Sequence, residues 1–294
     1  MNVIVTGASG LLGRAVVAEF KRNSWKVLGL ARTRVRDDLV QIELADINAV
    51  SRIVREFKPH AIVHCAAERS PDKIQENPSR YEKLNVAVPR ELAKLADEVK
   101  AVFVFISTDY VFSGENPPYR EDDMVDPLNA YGVSKVKAEQ AVIMNNSDSC
   151  ILRIPVLYGG EESIEESAVS VLINSIKMNV QVQVSNLEIR FPSHTKDVAG
   201  IIYELVQRKL QDKSLKSNIY QWCGSEPFTK YEMACIIAET FGQDHDHLVP
   251  VNVASPGTPR PMNCQMSCER LENLGIRRNT RFVDGIEDFR KFFE

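Results

Sequence analysis

A chain of 294 residues can bury a substantial core and on length alone divides into about two domains. Its 44% hydrophobic and 26% charged residues are the proportions of an ordinary globular protein. A formal net charge of -4 gives no footing for nucleic acid or an anionic membrane surface as a partner, and no apolar run nears the roughly 18 residues of a membrane span.

The first predicted element is a short β-branched strand, Val3-Ile4-Val5, of the kind buried on both faces of a parallel sheet. Because a core strand opens the chain, no signal or transit peptide is expected before it, and the expected location is cytoplasmic. Thr6 and Gly7 break the strand, and an apolar-periodic helix (Leu11, Leu12, Ala15, Val16, Phe20) follows at once. Gly7, Gly10 and Gly13 therefore form a G-x-x-G-x-x-G turn between a strand and a helix N-terminus. Such a turn permits a sharp bend and lets a pyrophosphate approach unpaired backbone amides. This pattern predicts a dinucleotide site.

Lys26 to Leu30 reads as the second strand. Where NAD-preferring folds place a ribose-binding acid, this chain has Ala31-Arg32-Thr33-Arg34. Two arginines there suit a 2′-phosphate, so NADP is the expected cofactor. Val40 to Leu44 is a third short strand. Asp46 follows as a cap for a helix from Ile47 to Phe57, or as a contact for the adenine. Ala61 to His64 is a fourth strand, and the small residues Cys65-Ala66-Ala67 leave room for a cofactor over the sheet edge.

Polar residues and prolines make 68–77 a predicted loop, and a helix from Ser79 to Glu98 is interrupted near Pro89. Val102 to Ile106 is a very apolar strand ending in Ser107-Thr108-Asp109-Tyr110, which places Ser107 and Thr108 where open α/β sheets bind ligands. A Gly/Pro-rich acidic loop (113–127), a helix from Leu128 to Asn145 and a strand from Ile151 to Ile154 complete the alternation. The fold class is therefore α/β, with a doubly wound parallel sheet. Beyond it come an acidic run from Glu161 to Glu166, a helix from Ser167 to Met178 and a polar, β-branched stretch from Val180 to Ile189. Asp197 to Leu210 is helical, Ile219 to Trp222 strand-like and Lys230 to Phe241 helical. The expected organisation is a dinucleotide-binding domain of residues 1–157 and 192–222, with a smaller α/β substrate-type domain of 158–191 and 223–294.

Tyr131-Gly-Val-Ser-Lys135 puts a tyrosine and a lysine on one helix face. A neighbouring ammonium and a positively charged nicotinamide are expected to lower the tyrosine pKa, so that Tyr131 exchanges a proton while hydride moves to or from the cofactor. Lys135 is also placed to hold the nicotinamide ribose, and Thr108 to bond a substrate oxygen. No metal site is expected. None of the six cysteines forms a C-x-x-C pair, Cys264 and Cys268 lack supporting ligands, and His245 and His247 lie in a polar D-H-D-H stretch. The cysteines read as reduced, mostly buried thiols.

T-G-A-S-G-L-L-G, S-T-D-Y-V-F-S-G and Y-G-V-S-K together resemble the extended short-chain dehydrogenase/reductase superfamily, a Rossmann-type fold. S-T-D-Y-V-F and R-P-M-N-C-Q-M-S-C-E-R-L-E-N-L-G-I resemble its dTDP-4-dehydrorhamnose reductase-like members. This implies a catalytic Thr108, Tyr131 and Lys135. It also implies NADP contacts at Thr6, Gly7, Ser9, Gly10, Leu11, Leu12, Gly13, Arg32, Arg34, Asp46, Ile47, Cys65, Ala66, Ala67, Asn85, Tyr131, Lys135 and Pro155. H-C-A-A-E-R-S-P-D, L-R-I-P-V-L-Y-G, R-F-P-S-H-T-K-D-V-A and T-K-Y-E-M-A-C are similar to the β-subunit family of methionine adenosyltransferase. That resemblance implies an NADP-binding regulatory partner of the catalytic subunit that makes S-adenosylmethionine. The alternative is an NADPH-dependent reductase of a nucleotide-linked 4-keto sugar. It would need basic residues for a diphosphate, for which Arg190, Lys196 and Arg260 are the candidates, with His194 as a residue facing the cleft or a structural histidine.

Overall fold

The computed structural model describes every residue except 37, 213–214, 216–218 and 255–256. In chain order the elements of the main sheet and its helices are β1 (Asn2–Thr6), α1 (Leu11–Arg22), β2 (Lys26–Ala31), β3 (Leu39–Gln41), α2 (Ile47–Phe57) and β4 (Ala61–His64). These are followed by α3 (Pro71–Glu76), α4 (Pro78–Glu82), α5 (Val88–Glu98), β5 (Val102–Thr108), α6 (Ala130–Asn145) and β6 (Cys150–Ile154). The rest of the chain forms β7 (Leu157–Tyr158), α7 (Leu172–Ile176), β8 (Val182–Ser185), β9 (Ser193–His194), α8 (Thr195–Gln211) and β10 (Ile219–Gln221). It ends with α9 (Lys230–Thr240), β11 (Leu248–Val251), α10 (Glu269–Asn273) and α11 (Phe282–Gly285).

Seven strands form one parallel sheet in the order β10-β6-β5-β4-β1-β2-β3. The winding direction reverses between β1 and β4, so the loops leaving these two strands diverge and open a crevice at their carboxyl ends. Alternation along the strands explains the layers. Val3 and Val5 of β1 point into one core with Val16 and Phe20 of α1 and Ile201, Ile202 and Leu205 of α8. Ile4, between them, points into the opposite core with Val50 and Val54 of α2, Leu92 and Ala96 of α5, and Ala138 and Val142 of α6. A third core joins Tyr158, Leu172, Ile173, Met233, Ile237, Phe282 and Phe289, beneath the parallel pair β8 and β11.

Several elements differ from the sequence expectation. The predicted loop 68–77 contains α3, because Pro71 stands at the first helical position, where its missing N–H costs nothing, and the Ser70 side chain caps the helix by accepting from Lys73 N. The interruption of the next helix is a π-helical segment, Lys83–Ala87, just ahead of Pro89, which lacks the N–H needed to continue the ladder. The helix expected over 167–178 is only α7, five residues long. Strand β3 is shorter than expected and shifted toward the N-terminus, and Ser107 and Thr108 belong to β5 itself rather than following it. Asp46 does cap α2, accepting from Ala49 N at 3.1 Å.

Candidate active site and dinucleotide cleft

The crevice is a cleft of about 510 Å³ along the carboxyl ends of the strands. Its glycine end is built by close backbone packing. Gly7 has φ +66, and a Cβ there would stand 2.8 Å from Ala66 N. A Cβ on Gly13 would stand 2.0 Å from the Gly7 carbonyl oxygen, so α1 approaches β1 only with glycine at that position. Gly10, the N-cap of α1, has no side chain to accept from the first-turn amides, which leaves these donors for an anion.

Of the expected contact residues, Gly7, Ser9, Gly10, Leu11, Leu12, Gly13, Arg32, Arg34, Cys65, Ala66, Ala67 and Pro155 line the cleft, with Thr108, Tyr131 and Lys135 at its other end. Four expected contacts are not in its wall. The Thr6 hydroxyl is paired with His64 Nδ1 at 2.7 Å beneath the turn. Asp46 accepts the capping bond from Ala49 N, and of this stretch Glu43 and Leu44 stand in the wall rather than Asp46 and Ile47. Buried Asn85 clamps the backbone of Glu68, accepting from its N–H and donating to its carbonyl, both at 3.0 Å. Sequence reasoning also missed Glu166, Arg69 and Lys230, all of which line the cleft. Glu166 lay in the acidic run of 161–166 and Lys230 at the start of a predicted helix, so composition alone gave neither a place in the site.

Thr108, at the end of β5, donates to Asp109 Oδ1 at 3.1 Å and accepts from Tyr110 N at 3.2 Å. Lys135 reaches under the sheet end, donating to the Ile106 carbonyl at 2.5 Å, with its Nζ 4.0 Å from the Phe105 ring centre. Burial pushes its pKa down to about 7, against the opposing charge of Glu139. Burial pushes Tyr131 up, and the hydrogen bond with Thr108 offsets this only in part. Removing a phenolate from water costs more than the Thr108 hydrogen bond and the Arg69 charge return. Tyr131 is thus a neutral hydroxyl, suited to donating a proton. Burial also raises Asp109 to about 6, with Arg190 acting in the other direction, and raises the Cys65 thiol to about 12.

Arg190, Lys230 and Arg260 converge at the open end of the cleft. Arg190 is anchored by the carbonyls of Ile189 and Pro261 at 2.8 and 2.9 Å, and Arg260 pairs with Asp72 at 3.0 Å. Lys196 does not line the cleft and pairs with Asp288 instead. His194 is structural: its Nδ1 accepts from Lys196 N at 3.2 Å and caps α8, while Nε2 lies 3.4 Å from Asp288.

A model of the RmlD substrate binding domain matches residues 1–293. The chain belongs to the RmlD family, in its methionine adenosyltransferase β-subunit branch. It is 46% identical over 289 residues to methionine adenosyltransferase 2 subunit beta of Xenopus laevis, covering 98% of this chain and 86% of the relative. The Bos taurus protein of the same name is 46% identical over 290 residues, with the same shares covered. Among solved RmlD structures, dTDP-4-dehydrorhamnose reductase from Bacillus anthracis in complex with NADP superposes with a TM-score of 0.85 at 26% identity, covering 99% of this chain and 97% of that one. No helix among the described residues is long and apolar enough to cross a membrane.

Proposed function

We propose that this protein is an NADP-binding regulatory β subunit of methionine adenosyltransferase, modulating S-adenosylmethionine synthesis through contact with the catalytic subunit. The observation that carries this reading is the 46% identity to β subunits sustained over 98% of the chain, against 26% to the reductases that share the fold. A nicotinamide dinucleotide fits the cleft. Its pyrophosphate would meet the amides around Gly10 to Leu12, a 2′-phosphate would meet Arg32 and Arg34, and the nicotinamide ribose would meet Tyr131 and Lys135. When bound, the cofactor would supply hydride chemistry. What the chain itself contributes is the positioning of the ribose, a protonated Tyr131 hydroxyl and the buried Lys135.

A second reading is favoured by one specific observation. Thr108, Tyr131 and Lys135 share a cleft with the cations Arg190, Lys230 and Arg260, an arrangement that also suits NADPH-dependent reduction of a nucleotide-linked 4-keto sugar. Mixing the purified chain with the methionine adenosyltransferase catalytic subunit and measuring mass by light scattering after size exclusion separates the two readings. A stoichiometric complex is expected. Separate elution, together with NADPH oxidation on a dTDP-4-keto-6-deoxy sugar, would instead establish the reductase.

A further inference from the structure

The acidic run 161–166 has a specific place in the cleft wall. A 3₁₀ turn, Ile164–Glu166, carries Glu166 there, and its side chain is only 6% exposed. Oε1 accepts from Arg14 Nη1 at 2.8 Å and from Arg34 Nη1 at 2.7 Å. Oε2 accepts from Arg14 Nη2 at 2.7 Å and from Glu162 N at 2.8 Å. The acceptor sites of this carboxylate are therefore filled.

The two arginines are not held alike. Arg14 is forked across both oxygens and also donates to the carbonyls of Ser9 and Gly160, each at 2.9 Å. Arg34 touches Glu166 through one nitrogen, and its side chain is 51% exposed. Detaching Arg34 leaves the carboxylate with Arg14 and the Glu162 amide. Glu166 is thus a fixed anion and Arg34 its exchangeable partner. Burial works to raise the carboxyl pKa, but the hydrogen bonds from Arg14, the Glu162 amide and Arg34 outweigh it and hold the value at about 2. The negative charge persists at every physiological pH.

We infer that Glu166 sets dinucleotide selectivity: it competes with the 2′-phosphate for Arg34 and so holds down the preference for NADP(H) over NAD(H). This rests on the reading of Arg34 as a 2′-phosphate ligand. A dianion arriving at Arg34 must take that guanidinium from a carboxylate that stays in place, whereas an unphosphorylated ribose makes no such demand.

The test is the dissociation constants of NADPH and NADH, titrated against the full chain and its Glu166→Gln, Arg34→Ala and doubly substituted forms. Glu166→Gln is expected to tighten NADPH by about three- to tenfold and leave NADH unchanged. The gain should vanish in the Arg34→Ala background. An unchanged NADPH constant, or equal loosening of both cofactors, overturns the inference and makes Glu166 a structural anchor. Should Glu166→Gln not fold, Glu166→Asp withdraws the charge by one methylene. A smaller NADPH-specific gain is then expected, and none would overturn the inference. Wild-type protein with no preference for NADPH refutes the 2′-phosphate reading and this inference together. An Arg34-dependent preference with no selective gain on changing Glu166 refutes this inference alone.

Discussion

Arg153 and Glu139 form a two-bonded ion pair, Nε to Oε1 at 3.0 Å and Nη2 to Oε2 at 2.8 Å, with side chains 3% and 5% exposed. The pair ties β6 to α6 one helical turn below Lys135. Glu139 also accepts from Ser107, and Arg153 donates to Gln221 of β10 at 3.3 Å. The strand end that carries Thr108 and the helix that carries Tyr131 are thereby held by one buried network. Glu139→Gln is expected to strand the Arg153 charge and lower stability by about 3–5 kcal/mol, read as a shift in the urea midpoint. A paired Glu139→Leu and Arg153→Met exchange should cost less than either single change. A larger cost for the pair would show that the network contributes more than charge compensation.

Removing both arginines at the end of β2 addresses the cofactor reading. Arg32→Ala with Arg34→Ala should weaken NADPH binding by about ten- to a hundredfold and barely affect NADH. Calorimetric titration of both dinucleotides measures this, and equal losses would reject the 2′-phosphate assignment.

Gly132, between Tyr131 and Val133, has no room for a side chain. A Cβ there would lie 2.2 Å from the Tyr110 carbonyl oxygen and 2.7 Å from Pro127 Cβ. Gly132→Ala must push the start of α6 away from the turn at Tyr110 and from Pro127. The expected result is about 1–3 kcal/mol of destabilisation with a larger fractional loss of dinucleotide affinity, because Tyr131 moves with the backbone. Thermal unfolding and titration on the same sample distinguish the two effects.

Lys135 gives the fold a pH dependence of known sign. Its pKa of about 7 in the folded chain lies below the value of about 10.4 for an exposed lysine. Between these limits the unfolded chain binds more protons, so stability rises with pH. Above about pH 8.5 the buried thiols Cys65 and Cys150, each raised to about 12 by burial, act in the opposite direction. The rise is therefore clearest from pH 7 to about 8.5. Lys135→Met should flatten it, as measured by denaturant unfolding across that range; an unaltered slope would place the lysine in a wetter site.

The strand-turn-helix at the glycine motif and the face shared by Tyr131 and Lys135 were legible because each is a local pattern with a fixed period. What was not legible depends on partners distant in sequence. Arg34 meets a carboxylate 132 residues away, and no local pattern announces it. Thr6 and Asn85 make internal bonds to His64 and to the Glu68 backbone that only the packed fold defines. The direction of the Tyr131 shift depends on burial, which motif spacing does not encode. Pro71 read as a loop marker because the same residue serves both breaks and first helical turns, and the choice fell to its neighbour Ser70.

Cys65, on the cleft floor beside Ala66 and Ala67, has a consequence for thiol chemistry. Peroxides and soft electrophiles attack the thiolate, and a thiol whose pKa is about 12 supplies almost none at neutral pH. Although it stands in the wall of a ligand cleft, this sulfur is in surroundings that work against sulfenylation and cysteine-directed alkylation. Compounds designed against the cleft would need affinity from shape and charge, since the sulfur offers little by way of a covalent bond.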